Sequence, residues 1–244
     1  MQEAVKQAAK LIREARLVVA LTGAGISVES GIPPFRGKGG LWEKMDPMEF
    51  AHIDSFLRNP ARVWDILVRE MKGVVDRAMP NAGHINLARL EEAGRLSAII
   101  TQNVDGLHQR AGSSDVIEFH GSFALQRCMK CGKTIPTDRV SLDVLPPLCE
   151  CGGILRPDCV FFGEAIPVDA LDRSYELSSA CDVMLVIGTS AVVMPAASMP
   201  RVAKKAGAKI IEINTDVTPL SASLTDLLLK GSAGEVLEKI LKAL

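Results

Sequence analysis

Long apolar runs are missing from this 244-residue chain. No stretch reaches the roughly 20 residues that a membrane-spanning helix needs. The amino terminus, with Glu3, Lys6, Lys10 and Arg13, also lacks the apolar block of a secretory leader. A cytoplasmic protein is expected. An excess of charge is missing too: 28 basic against 29 acidic residues leave a formal charge of -1, which offers no global attraction to nucleic acid or to an anionic membrane. Lys204-Lys205 is too short a basic run to alter that. Internal repeats and low-complexity tracts are absent, and tyrosine occurs once, at Tyr175. What is present is ordinary for a soluble globular protein: 48% hydrophobic and 23% charged residues, in a length that suits one large domain, alone or with a small insert.

Helical and strand periods alternate along most of the chain. Residues 3–15 place Val5, Ala8, Ala9, Leu11 and Ile12 on one helical face, and Leu17 to Leu21 is a continuous apolar run of the kind that forms a parallel strand buried on both sides. The pair returns as a helix over 82–93, capped by Asn81 and closed by Gly94, before a strand from Leu96 to Thr101. It returns again as a helix near 169–180 before Val183 to Ile187, and as one near 195–206 before Lys209 to Ile213. Glu235 to Leu244 reads as an amphipathic helix, and shorter strands are expected at 116–119 and 226–229. This alternation is that of an α/β fold with a doubly wound, Rossmann-like parallel sheet, to which residues 1–32, 76–121 and 159–244 are assigned.

Two stretches interrupt the pattern. Residues 33–75 hold Pro33-Pro34, a glycine-rich run at 37–40 and helical patterns around Trp42, Phe56 and Trp64, which read as a flexible loop followed by a small helical subdomain. Residues 122–158 hold four of the six cysteines and four of the thirteen prolines, with weak periodicity. There Cys128-Met129-Lys130-Cys131-Gly132 is half of a zinc knuckle: two thiolates reach one ion while glycine lets the backbone turn. Cys149-Glu150-Cys151-Gly152-Gly153 matches the second half, with one residue instead of two between the thiolates. A metal-free set of reduced cysteines is the alternative, and crowding between Cys128 and Cys151 argues against it. The expected ligands are Cys128, Cys131, Cys149 and Cys151 around a structural Zn2+, since four thiolates leave no position for a substrate. Cys159 and Cys181 lie in or beside apolar strand patterns and read as core residues, with Cys159 as the substitute ligand.

Small and polar residues recur where strands should end: Gly23-Ala24-Gly25-Ile26-Ser27, Gln102-Asn103-Val104-Asp105, His120-Gly121 and Gly188-Thr189-Ser190. In an open α/β sheet such loops meet in the crevice beyond the carboxyl ends of the strands, so a single large site is expected. Gly23-x-Gly25 is half of a dinucleotide fingerprint, in which missing side chains let backbone amides approach a pyrophosphate. Val28 stands in place of the third glycine, and no strand-end acid about 20 residues on is available for an adenine ribose. Alone, the loop fits a bare turn as well as a phosphate cradle, and it argues against an ordinary nicotinamide dehydrogenase.

Taken together, Gly23 to Ser27, Ser30-Gly31-Ile32-Pro33, Phe35-Arg36-Gly37, Thr101 to Asp105, His120-Gly121, Val160-Phe161-Phe162-Gly163-Glu164, Gly188 to Ser190 and Ile213-Asn214 resemble the motifs of the sirtuins, NAD-dependent protein lysine deacylases. The resemblance runs in family order from about residue 15 onward. It implies that Gly23, Ala24, Gly25 and Ser27 cradle the NAD pyrophosphate, and that Gly188, Thr189, Ser190, Asn214, Ser232 and Ala233 hold the adenosine half. Phe35 and Arg36 would belong to a loop that closes over NAD and excludes water. Asn103 and Asp105 would bond the two ends of the nicotinamide carboxamide, beside Val104, and Gln102 would meet the nicotinamide ribose.

By the same resemblance His120 carries proton transfer: it removes a proton from a ribose hydroxyl after the acyl-lysine oxygen has displaced nicotinamide, a duty suited to an imidazole near neutral pH. His108 reads as a structural neighbour, and His52 and His84 as surface or helix-capping residues. Val160, Phe161, Phe162, Gly163 and Glu164 would pair with a substrate peptide through main-chain bonds. Family members that take acidic acyl groups carry a Tyr and an Arg three residues apart. Trp64-Asp65-Ile66-Leu67-Val68-Arg69 stands there instead, so acetyl-lysine is expected, with longer aliphatic acyl groups as the extension. Pro34 replaces the acid common before Phe35, which bears on loop closure and nicotinamide exchange. The implied function is NAD-dependent deacetylation of protein lysines by a chain read as a monomer, without nucleic-acid or membrane partners. Protein ADP-ribosylation and non-enzymatic NAD binding are the competing readings.

Overall fold

A computed structural model describes residues 2–35 and 39–244. Arg36, one of the expected cofactor residues, lies outside the described residues, as does the side chain of Arg69. The central sheet has six parallel strands: β1 (Val18–Thr22), β2 (Ala98–Thr101), β3 (Val116–Glu118), β7 (Val183–Ile187), β8 (Lys209–Asn214) and β9 (Leu227–Lys230). Their order is β3-β2-β1-β7-β8-β9, so the chain reverses direction across the sheet between β1 and β7. That junction is the topological switch point of a doubly wound fold, where ligand crevices open.

Continuous apolar runs form these strands because both faces are covered. Val18 and Ala20 of β1 pack in one core with Val183, Leu185 and Ile187 of β7. Val19 and Leu21 pack on the other side with Met184 and Val186. The first face is closed by helices Gln2–Glu14, Ala82–Glu92 and Ala233–Ala243, the second by Val168–Ala180 and Met199–Lys205. Asn81 caps the Ala82 helix by accepting from the Gly83 amide at 2.8 Å. The expected helix over 195–206 is split into a 3-10 turn, Ala196–Ser198, and the helix from Met199, with Pro200 in its first turn where a missing amide costs nothing. Among the described residues no helix is long and apolar enough to cross a membrane.

Two lobes flank the switch point. Short helices between Leu41 and Arg77 gather around Phe50, Phe56, Val63 and Trp64. A smaller antiparallel sheet is built from β4 (Gly121–Cys128), β5 (Thr134–Pro136) and β6 (Leu155–Cys159), with β4 in the middle. Trp64 ties the lobes together, its indole donating to the Leu155 carbonyl at 2.8 Å.

Candidate active site

The loops that leave β1 and β7 touch through their backbones. Gly25 donates its amide to the Gly188 carbonyl at 2.8 Å. A Cβ on Gly25 would fall 2.7 Å from the Gly188 Cα, and one on Gly188, whose φ is 59°, would fall 2.4 Å from the Ile26 amide. A Cβ on Gly23 would strike the Thr189 side chain at 2.7 Å. These glycines therefore serve a loop-to-loop contact, and the amides of Gly23, Gly25 and Ile26 are engaged by the carbonyls of Ile187, Gly188 and Gly23. Close packing against the loop after β7 is thus a further reason for both glycines, one that the linear string does not reveal. After Gly23 the chain enters a 3-10 helix, Ala24–Ser30, longer than the three or four residues usual for that form.

Beneath the loops lies a polar network. Ser27 donates its hydroxyl to Asp105 Oδ2 at 2.7 Å, and Asn103 Nδ2 donates to Ser27 Oγ at 3.1 Å and to the Gly23 carbonyl at 3.2 Å. His84, fully buried, accepts from the Asn81 amide at Nδ1, so its Nε2–H faces Ser27 Oγ at 3.4 Å. Burial lowers the His84 pKa to about 4 against the opposing pull of Asp105. His108 stands edge-on to His84 at 4.9 Å and bonds Thr22 Oγ1 at 2.9 Å; burial, and then His84, push its pKa to about 3. Both rings are thus neutral parts of the scaffold. Of the two positions expected for His84, surface or helix cap, the structure shows the cap, made from inside the core; no local pattern distinguishes it from an exposed histidine. His52 also caps a helix, accepting from the Asp54 amide at 3.2 Å.

Above the network opens a cavity of about 750 Å³. Gly23, Ala24, Gly25, Phe35, Gln102, Asn103, Val104, His120, Val160 to Glu164, Gly188, Thr189, Ser190, Asn214, Ser232 and Ala233 line it. Ser27 and Asp105 do not; they stand behind the wall and hold Asn103 and the Gly23 loop in place. Gln102 Nε2 donates to Thr189 Oγ1 at 3.0 Å, and Asn214 Nδ2 to the Thr189 carbonyl at 3.1 Å, so these side chains also staple neighbouring strand ends.

His120 sits where β3 turns into β4. Its Nδ1 lies 3.0 Å from the Gln102 carbonyl, an acceptor, so Nδ1 carries the proton and Nε2 is left unprotonated on a cavity-lining ring. Burial holds its pKa below 6.5, partly offset by that carbonyl. The Phe119 ring meets it edge-on at 5.4 Å.

Val160 to Glu164 forms no strand beyond a single bridge between Phe162 and His52. Phe162 is already bonded at both backbone groups, to the Ala51 carbonyl at 2.7 Å and from the Ile53 amide at 3.0 Å. Glu164 grips Arg156 through two bonds of 2.6 Å and accepts from the Phe161 amide at 2.9 Å, which ties its carboxylate to the protein itself. The adjoining wall is apolar: Phe35 stacks on Trp42 at 5.2 Å, and Trp42 approaches Phe50 at 6.3 Å and Phe162 at 6.5 Å.

A sequence model of the Sir2 family matches residues 23–195 of this chain, the stretch that builds these loops. The chain belongs to the Sir2 family. It is 48% identical over 235 residues to NAD-dependent protein deacylase 2 of Pyrobaculum aerophilum, covering 96% of this chain and 93% of the relative. It is 50% identical over 224 residues to the NAD-dependent protein deacylase of Aquifex aeolicus, covering 91% and 93%. Among solved structures, a Sir2 protein with a deacetylated p53 peptide and 3'-O-acetyl ADP ribose is similar at a TM-score of 0.92 and 38% identity, over 98% of this chain and 97% of its own.

In this Sir2 chain the sulfurs of Cys128, Cys131, Cys149 and Cys151 all lie within 4.8 Å of one another. Cys128 and Cys151 are 3.5 Å apart, and Cys131 and Cys149 3.9 Å. A tetrahedral ion with Zn–S bonds of about 2.3 Å needs sulfurs roughly 3.8 Å apart, so the set fits zinc and is too wide for disulfides. The amides of Cys131 and then Lys130 point at Cys128 and lower its pKa to about 6. A Cβ on Gly153 would lie 2.7 Å from that sulfur, which explains the second glycine of the shorter half. Cys159 lies apart from the cluster, its buried thiol pushed up to about 12. Sequence reasoning missed the apolar wall of Leu41, Trp42, Met45 and Met71, and it missed Asp216 at the cavity edge. Helical periodicity marked the first four only as a subdomain core, and nothing local sets Asp216 apart from a surface acid.

Proposed function

We propose that this chain is an NAD-dependent protein lysine deacetylase that moves the acetyl group of acetyl-lysine onto ADP-ribose, releasing nicotinamide, O-acetyl-ADP-ribose and the free lysine. The observation that carries the reading is His120: an imidazole with Nε2 unprotonated, held by the Gln102 carbonyl, in the same cavity as the Gly23–Gly25 loop. NAD supplies the acceptor for the acyl group and the nicotinamide leaving group. Ala24, Gly188, Thr189 and Ser190 would hold its phosphate and adenosine portions, and Asn103 and Gln102 its nicotinamide end, with Ser27 and Asp105 acting from behind Asn103. His120 takes a proton from a ribose hydroxyl at Nε2, and Phe35 over Trp42 keeps water from the reacting groups. The acyl-lysine lies against Val160, Phe161 and Phe162. An apolar wall there disfavours an acidic acyl group, whose carboxylate would lose water without gaining a partner. Cys128, Cys131, Cys149 and Cys151 hold a structural zinc, which steadies the β4-β5-β6 sheet.

Mass spectrometry of an acetyl-lysine peptide with enzyme, with and without NAD, tests the reading. Loss of acetyl from the peptide and its appearance on ADP-ribose is expected only with NAD, and His120→Ala is expected to slow turnover by about 10²–10⁴. Because the base works unprotonated and burial keeps its pKa below 6.5, kcat/KM should fall as pH drops through a value under 6.5 and stay level from there to neutrality. Nicotinamide release that is indifferent to acetylation of the peptide would replace deacetylation with ADP-ribosyl transfer.

A further inference from the structure

Resting on the reading above, we propose that His108 is a positioning residue for the base: through the hydroxyls of Thr22 and Thr101 it fixes the peptide group between Gln102 and Asn103, whose carbonyl orients His120. All three side chains are buried, and none of them is among the residues lining the cavity, so the role is exercised from beneath it.

The bonds form an unbroken series. Thr22 and Thr101 face each other as register partners at the ends of β1 and β2, and Thr22 donates its hydroxyl to Thr101 Oγ1 at 2.9 Å. With that proton spent, Thr22 Oγ1 can only accept from His108, 2.9 Å away, so His108 Nε2 carries a hydrogen. Thr101 Oγ1 in turn accepts from the Asn103 amide at 3.1 Å. That amide and the Gln102 carbonyl belong to one trans peptide group and point to opposite sides of it. Thr101 therefore holds one side, while the other receives His120 Nδ1–H at 3.0 Å. Rotating this single plane turns the imidazole.

The backbone on either side is pinned separately. The Gln102 amide donates to the Thr22 carbonyl at 3.0 Å, and the Phe119 amide, just before His120, donates to the Thr101 carbonyl at 2.9 Å. What the threonine hydroxyls add is the tilt of the 102–103 plane and the strength of its carbonyl as an acceptor, since an amide that donates polarises its own carbonyl. Keeping a histidine there has a cost: its Nδ1 is buried with no partner among the described residues. An apolar side chain would fill the same space without that cost, so the Nε2 donor is the reason for the ring.

Steady-state deacetylation across pH tests this with wild type, His108→Leu, Thr101→Val and the double variant, with thermal melts and ADP-ribose calorimetry as checks of fold and site. Each single variant is expected to lower kcat about tenfold while ADP-ribose affinity stays within about twofold, because a tilted base loses its attack geometry and the cofactor walls do not move. The double variant should also lose about tenfold and not a hundredfold, since both changes cut one series of bonds. Weakening the Gln102 carbonyl removes what raises the His120 pKa, so the acid limb of kcat/KM should move down by about 0.3–0.5 in pH. If His108→Leu does not fold, Thr22→Val with Thr101→Val makes the same cycle. Folded variants with wild-type kcat, or losses that multiply while the acid limb stays in place, would overturn the role of His108 and leave the deacetylase reading standing. A wild-type chain that removes no acetyl group in the presence of NAD would overturn both.

Discussion

Replacing Glu164 with glutamine distinguishes a structural from a substrate-binding role for that carboxylate. In the structure Arg156 and Glu164 face each other through two 2.6 Å bonds, with side-chain exposures of 8% and 25%. The guanidinium also donates to the Cys159 carbonyl at 2.6 Å and lies 4.6 Å from the centre of the Phe161 ring. Removing one partner of a buried pair costs about 3–5 kcal/mol, because the other charge is left without compensation. Glu164 keeps a quarter of its side chain in water and Arg156 keeps the carbonyl and the ring, which puts Glu164→Gln at the low end, about 3 kcal/mol. For a chain of this size that is a fall in Tm of about 6–12 °C. Burial raises the pKa of Glu164, but Arg156 and the Phe161 amide outweigh it and the net shift is downward from 4.5. The contribution is therefore complete above 4.5 and lost as pH falls through the lower folded-state value, so the gap between wild type and variant should close in acid. Thermal and urea unfolding across pH measure it, and Arg156→Met combined with Glu164→Leu should recover much of the loss. A Glu164→Gln protein that melts within about 1 °C of wild type at neutral pH while its peptide KM rises would refute the structural role.

Two further outcomes follow from contacts at the glycine loop and the cysteine cluster. Gly25→Ala sets a methyl 2.7 Å from the Gly188 backbone, where no rotamer offers escape, so it should destabilise by about 1–3 kcal/mol and weaken NAD binding, read by melting and calorimetry. Atomic absorption should find one zinc per chain, and chelation should unfold the β4-β5-β6 sheet and lower Tm; protein that purifies metal-free with an unchanged melt would contradict this.

The central sheet was legible because strands buried on both faces leave uninterrupted apolar runs, as in Leu17 to Leu21 and Val183 to Ile187. The small sheet was not. β4 alternates irregularly between buried and exposed residues and β5 is mostly exposed, since a four-cysteine cluster with a small patch of Leu155, Ile135 and Val140, not a broad apolar face, holds that lobe. The cavity residues were legible as polar strand ends, yet their division of labour was hidden. Ser27 and Asp105 look like ligand contacts in a linear string, and only folding shows them bonded to each other behind Asn103. The reason for Gly25 lies far along the chain at Gly188, beyond any local pattern. Arg156 with Glu164, and Glu212 with the hydroxyls of Thr218, Ser221 and Thr225, are pairings of residues that composition alone places on the surface.

The cysteine lobe leaves and rejoins the main body through a matched pair. Gly121 and Cys159 face each other as partners on β4 and β6, and the Val160 amide bonds the His120 carbonyl at 2.8 Å. A Cβ on Gly121, whose φ is 71°, would fall 2.2 Å from the Asp158 carbonyl, so the two arms cross with no room to spare. To the host fold the lobe is thus a closed doorway: its length and decoration can change at small entropic cost to the parent sheet, because the ends already meet. The threshold itself cannot shift without turning the imidazole beside it.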